Sequence, residues 1–102
     1  MLYQIPKGLF DILPYGADKE WQLSNQWQYV ESIIHKLAKD YGFKEVRTPM
    51  FEKTEVFAHG IGTGTDVVSK EMYTFMDKAE RSMSLRPEGT ASLVRSFVEK
   101  NL

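Results

Sequence analysis

Between Leu85 and Ala91 the chain reads Leu-Arg-Pro-Glu-Gly-Thr-Ala, a strand end broken by a proline and opened by a glycine into a helix. The junction carries a carboxylate, Glu88. A side chain at such a corner is aimed with little loss of order, because the backbone is pinned on both sides. Glu88, the freed backbone at Gly89 and the hydroxyl of Thr90 offer acceptors that can converge on a ligand ammonium, which brings three donors. A plainer reading stands beside this one, since acidic residues gather at helix N-termini to offset the positive end of the dipole. Spacing alone leaves both open.

Other chemistry is thinly supported. His35 and His59 are the only imidazoles; they lie far apart and lack acid-rich ligand spacing, so solvated or packed roles fit better than a zinc site or a triad. The run Gly60-x-Gly62-x-Gly64 suggests a phosphate loop, but the dinucleotide fingerprint needs a different third interval and a strand directly before it. Glu52, Glu55, Asp66, Glu71 and Glu88 punctuate loops and strand ends, and most of these acids read as surface charges.

Several elements must position the Glu88 corner. Residues 1–17 carry Pro6, Gly8, Pro14 and Gly16, a density of punctuators that predicts an extended arm whose Ile5, Leu9, Phe10, Ile12 and Leu13 lie on something. From Asp18 the pattern becomes helical. Leu23, Trp27, Val30, Ile34, Leu37 and Tyr41 recur at steps of four and three, with Asp18 as N-cap and Gly42 as the C′ residue. The expected helix runs about 23 residues and roughly 35 Å. Phe43 to Thr48 reads as a short strand closed by Pro49, completing a segment 18–52. Residues 53–70 read as a glycine-rich loop with one helical turn near Val56.

The segment 71–102 reads as a hairpin and a helix. Glu71 to Met76 and Ser82 to Arg86 form the strands, joined by a charged turn from Asp77 to Arg81. Tyr73 and Phe75, and likewise Met83 and Leu85, share faces suited to core packing. Thr90 to Lys100 is then a short amphipathic helix, with Ala91, Leu93, Val94, Phe97 and Val98 on the core face and Arg95 and Glu99 on the other.

Composition narrows the classes. The 102 residues include 13 basic and 14 acidic side chains, a net charge of −1, which argues against a dominant basic surface for a phosphate backbone. Cysteine is absent, which excludes disulfides and thiolate metal sites and permits a reducing compartment. Apolar runs fall short of a membrane span, and the N-terminus lacks a signal-peptide pattern, so a cytoplasmic protein without a membrane role is expected.

The words of the chain also resemble a family. Leu85 to Ala91, preceded by Thr65-Asp66-Val67-Val68-Ser69-Lys70-Glu71-Met72-Tyr73-Thr74-Phe75, is similar to the histidyl-tRNA synthetases. Pro6-Lys7-Gly8 with Asp11-Ile12-Leu13-Pro14 resembles their N-terminal signature. Asp40 to Glu52 resembles class II motif 1, a long helix followed by a strand ending in a proline at the dimer interface. The resemblance implies an α+β fold, a class II synthetase antiparallel sheet with flanking helices, of which only the N-terminal portion is present.

It further implies that Glu88 and Thr90 bind the α-amino group of histidine, that Gly89 allows close approach, and that Pro49 lies at a homodimer interface. Gly60 to Thr65 would border the active site and order with substrate. The activity implied is that of a ligase: histidine and ATP with Mg²⁺ give histidyl-adenylate, and the histidyl group passes to tRNA(His). Family residues that stabilise the phosphate, the histidine-specific arginine, motif 3 and the anticodon-binding domain would lie beyond Leu102, so the 102 residues alone are expected to be inactive. Two alternatives remain at this point: a synthetase-like regulatory subunit of histidine biosynthesis, and a non-catalytic dimerisation module.

Overall fold

In the computed structural model, which describes residues 2–61 and 72–102, the chain forms two compact units, Met1–Glu45 and Val46–Leu102. The predicted segment 18–52 is thus divided between them.

In the first unit the long helix stops where the sequence predicts and starts later. Helix α1 spans Ser24–Asp40. At its end Gly42 takes a left-handed φ of +79°, its N–H donates to the Lys39 carbonyl at 3.0 Å, and the Phe43 N–H donates to the Ala38 carbonyl at 2.9 Å. That paired arrangement closes a helix through a residue that carries no Cβ penalty. The N-terminal expectation, a cap at Asp18, is corrected: Glu20–Gln22 form a 3₁₀ turn and Leu23 is extended, with φ −79° and ψ 135°.

Backbone pairing with the arm explains the late start. The Leu13 N–H donates to the Gln22 carbonyl at 3.0 Å, and the Ser24 N–H donates to the Leu13 carbonyl at 2.8 Å. This parallel bridge between Leu13 and Leu23 competes with helical hydrogen bonds and wins. The arm does lie on something: Phe10 stacks edge-on against Trp21 at 4.9 Å and tilts over Trp27 at 6.1 Å, while the Trp27 indole donates to the Trp21 carbonyl. Farther along the stripe, Val30, Ile34, Leu37 and Tyr41 are exposed within this chain.

The second unit is built on an antiparallel sheet in the order β1-β3-β2, from Phe51–Lys53 (β1), Thr74–Met76 (β2) and Ser82–Leu85 (β3). The α+β class is therefore met. The strand predicted at Phe43 to Thr48 is not formed; β1 begins after Pro49. Register gives the reason, because Phe51 opposes Leu85 and extension by two residues would set Pro49 opposite Pro87. That is a non-hydrogen-bonded position of the ladder; what Pro87 lacks is the N–H on the other edge of β3, where the Leu85 N–H donates to the Tyr73 carbonyl, so β3 ends there and the ladder with β1 ends with it. Its last link is the Arg86 N–H donating to the Met50 carbonyl at 2.9 Å.

Helix α2, Thr54–Ile61, follows β1 without a connecting loop, replacing the expected single turn near Val56 with two turns. The glycines at 62 and 64 and the rest of the predicted loop to residue 70 lie outside the described residues, as does Glu71, the predicted first residue of the hairpin. Helix α3, Thr90–Lys100, has the predicted limits. The hairpin also forms, with Phe75 opposite Met83.

Its turn is held by one carboxylate. Asp77 accepts from the Ala79 and Arg81 backbone N–H groups at 2.9 and 2.8 Å and from the Arg81 guanidinium at 2.7 Å, while Glu80 sits at a left-handed φ of +61°. These bonds, that from the Arg81 backbone foremost, hold the Asp77 carboxyl below the usual carboxylate range.

The sheet's two faces are used unequally, and not as predicted. Glu52, Thr74, Ser82 and Ser84 share one face, where Thr54 Oγ1 lies 2.7 Å from Ser82 Oγ and 2.9 Å from Ser84 Oγ, and Thr74 Oγ1 lies 2.8 Å from Ser84 Oγ. This hydroxyl-lined face is the covered one: Ser84 and, from α2, Phe57 are fully buried. Phe51, Phe75, Met83 and Leu85 occupy the other face, with Phe51 and Phe75 edge-to-face at 5.5 Å. The core reading of Tyr73, Phe75, Met83 and Leu85 is corrected: none is buried in this chain, because the helices cover the opposite face.

Helix α3 is inverted in the same sense. Ser92 is fully buried and Ala91, Arg95 and Ser96 are half-buried, whereas Leu93, Val94, Phe97 and Val98 point to solvent. Arg95 and Glu99 were expected on the solvent side; Arg95 instead faces the sheet. No helix among the described residues is long and apolar enough to cross a membrane.

Two outcomes check this account. Phe57→Ala removes the one buried hydrophobic side chain among the described residues and should cost about 3–5 kcal/mol by denaturant unfolding; a change below about 1 kcal/mol would contradict the packing. For Asp77, a folded-state value below the ordinary 3.8 means that the carboxylate's contribution is complete above that pH and is lost as pH falls through the depressed value. An NMR titration should place the Asp77 midpoint below 3.8, with hairpin amide protection falling only under it; a midpoint at or above 3.8 contradicts the assigned hydrogen bonds.

Candidate functional site

Pro87 ends the β3 ladder, and three residues later the chain is helical, so the corner that carries Glu88 is short by construction. Its carboxylate turns back onto the helix start. Glu88 Oε2 accepts from the Thr90 N–H at 2.5 Å, and Oε1 accepts from the Ala91 N–H at 3.1 Å, with Oε2 sharing that donor at 3.4 Å. The plainer sequence reading thus acquires a geometry: Glu88 satisfies N–H groups that the first turn would leave without partners.

That role does not use up the group. A carboxylate has about four acceptor positions, and bonds to two backbone donors fix its orientation while leaving capacity for a ligand cation. Thr90 is exposed, and no described side chain hydrogen-bonds its hydroxyl. Gly89 has an ordinary φ of −101°, and a Cβ built on it meets nothing within 4 Å. Its lack of a side chain is therefore not demanded by backbone strain or by packing in this chain. Open space in front of Gly89 is what remains.

Gly89 also lines a groove of about 460 Å³ with Val46, Arg47, Thr48, Arg86 and Leu93. Arg86 crosses it, donating from Nη1 to the Thr48 carbonyl at 3.2 Å, and so ties the segment before Pro49 to the corner before Glu88. Glu88, Gly89 and Thr90 are contiguous at the corner, and Pro49 stands across from Pro87 at the same end of the ladder. Of the imidazoles, His35 is exposed, 3.7 Å from the Glu45 carboxylate; the side chain of His59 is not among those described. Among the described residues no group of three or more His, Cys, Asp or Glu gathers as metal ligands would.

Sequence reasoning missed two residues. Glu52, expected as a surface charge, is 8% exposed on the covered face of β1. Arg95 of α3 donates to its Oε2 from Nη2 at 2.9 Å and from Nε at 3.2 Å, and from Nη1 to Glu99 Oε2 at 2.7 Å. The Glu52 carboxylate raises the guanidinium's pKa above its already high ordinary value. Exposed pairs such as Lys36 with Asp40 contribute about 0.3–0.5 kcal/mol; here removing Arg95 would leave the covered Glu52 carboxylate without its cation, a larger penalty than losing an exposed pair. A signal was present: Ser92, Arg95, Ser96 and Glu99 fall at i, i+3, i+4 and i+7, a continuous small and polar face.

Known proteins share this sequence and fold. The family model described as histidyl-tRNA synthetase matches residues 8–101. The histidine–tRNA ligase of Protochlamydia amoebophila is 53% identical over 102 residues, covering 100% of this chain and 24% of the relative. That of Geobacillus sp. strain WCH70 is 55% identical over 102 residues, covering 100% and 22%. The chain therefore spans about a quarter of the length of these relatives.

Among solved structures, apo histidyl-tRNA synthetase from S. aureus superposes with a TM-score of 0.76 at 43% identity, over 98% of this chain and 21% of that one. A Bacillus halodurans C protein described as an ATP phosphoribosyltransferase regulatory subunit/histidyl-tRNA synthetase gives 0.63 at 18% identity, over 100% and 25%, which shows likeness of fold alone. By the match that runs through nearly all its residues, this chain belongs to the histidyl-tRNA synthetase family.

Proposed function

We propose that these residues supply, within a histidine–tRNA ligase, the N-terminal part of the catalytic domain, including the element that receives the amino group of histidine. The observation that carries this reading is the anchored Glu88 carboxylate, fixed by the Thr90 and Ala91 N–H groups beside an unobstructed Gly89 and an exposed hydroxyl at Thr90. Acceptors set before the substrate arrives lower the entropic part of the barrier, because histidine is then held with its carboxylate free to meet the α-phosphate of ATP.

On this reading the histidine carboxylate oxygen attacks the α-phosphorus, pyrophosphate leaves, and histidyl-adenylate forms; the 3′-terminal ribose hydroxyl of tRNA(His) then takes the histidyl group and AMP departs. Glu88 and Thr90 select and orient, and Gly89 keeps the approach clear. ATP and Mg²⁺ enter as substrates. Negative charge developing at phosphorus calls for cations; those groups are assigned to the rest of the enzyme, so the 102 residues by themselves do not catalyse. Pro49 and the stripe of α1 belong to a homodimer interface, and the enzyme works in the cytoplasm. Relatives more than half identical to this chain are ligases, which favours this reading over a regulatory subunit or a dimerisation module.

The test is Glu88→Gln in the full-length enzyme that carries this chain, assayed by histidine-dependent pyrophosphate exchange. Loss of a hydrogen bond to a charged group is worth about 1.5–3 kcal/mol, a fall in kcat/KM for histidine of about 10- to 150-fold. Unchanged dependence on histidine would overturn the assignment.

A further inference from the structure

Helix α3 brings Thr90 and the partners of Glu88 to the corner, yet its apolar stripe of Leu93, Val94, Phe97 and Val98 turns away from the sheet. The covered face of α3 is small and polar, Ala91, Ser92, Arg95 and Ser96, and the element it packs against is chiefly α2. Such a face offers little apolar area of its own, so directional bonds to the sheet add orientation to the packing on α2. Among the described residues, the side-chain hydrogen bonds from α3 to the sheet are the two from Arg95 to Glu52.

From this we infer that Glu52 and Arg95 are positioning residues for the amino-acid site, acting through α3 to set where Glu88 and Thr90 stand. The inference rests on the function proposed above. Glu52 is buried in mid-strand on β1, in register with the fully buried Ser84 of the central strand, so it is fixed to the most constrained part of the sheet. Nε and Nη2 of Arg95 both reach one carboxylate oxygen, which restrains the guanidinium in two directions, and Nη1 is held by Glu99. Arg95 lies five residues after Thr90, a rise of about 7.5 Å. A pivot so close to the helix start converts loss of the pair into displacement of the first turn, and with it of the Thr90 and Ala91 N–H groups that orient Glu88.

The experiment uses the full-length enzyme with Arg95→Met, Arg95→Lys, Glu52→Gln and Glu88→Gln, measuring KM for histidine and for ATP separately. Arg95→Met should raise the histidine KM by up to about 100-fold, the cost of misplacing a reacting group by about 1 Å, while the ATP KM stays within about twofold. Lysine keeps the charge and loses the two-nitrogen bracket, so Arg95→Lys should recover part of the loss. Glu52→Gln, which preserves shape, should give the same selective rise and covers the case in which Arg95→Met does not fold.

A histidine KM that is unchanged in folded Glu52→Gln and Arg95→Lys protein, or that rises only together with the ATP KM, overturns the inference. Glu88→Gln separates the two conclusions. If it leaves the histidine KM unchanged, the amino-acid site itself is misassigned and this inference goes with it. If it raises that KM while the Glu52 and Arg95 variants do not, only the positioning role fails.

Discussion

Strand β3 has both edges hydrogen-bonded, and the sheet of the second unit is built around it. A strand so enclosed has little freedom in what it carries. Ser82 and Ser84 hydrogen-bond sideways to Thr54 and Thr74, which joins α2 and β2 to β3 through short hydroxyls and lets α2 bring Phe57 close above them. The strand is also bounded by chemistry: Pro87 removes the donor that would continue the ladder, and the corner bearing Glu88 follows at once. Position of the candidate site is therefore a consequence of where hydrogen bonding must stop.

Much of this could be read in the sequence. The hairpin, its charged turn, the limits of α3 and the glycine stop at Gly42 follow from local rules, since turn residues, period-two alternation and a residue tolerant of positive φ act within a few positions. The corner was legible for the same reason. Wherever distant segments decide the outcome, reading fails. The start of α1 depends on Leu13 of the arm, ten positions before Leu23. The true position of β1 depends on where its partner β3 stops, at Pro87, a relation visible only once the register is known. Glu52 looked like a surface acid because its partner Arg95 lies 43 residues away.

The misreading of α3 is of another kind. Periodicity identifies two faces of a helix and says nothing about which one meets its own chain. Apolar residues are assigned inward by default, and here the small, charged face is the inner one. At Glu88 two readings, helix capping and recognition of an ammonium, do not exclude each other. Capping supplies the rigidity that recognition needs, and on the proposed function both fall to the same oxygens.

With Phe57 the only fully enclosed hydrophobe among the described residues and its apolar neighbours partly exposed, melting the second unit would bring less new hydrocarbon into water than melting a closed core. The heat-capacity increment on unfolding should then fall below the about 12–15 cal/mol/K per residue of ordinary domains. A small increment flattens the curvature of stability against temperature, so this unit would keep a similar margin of stability over a wider span of cool temperatures.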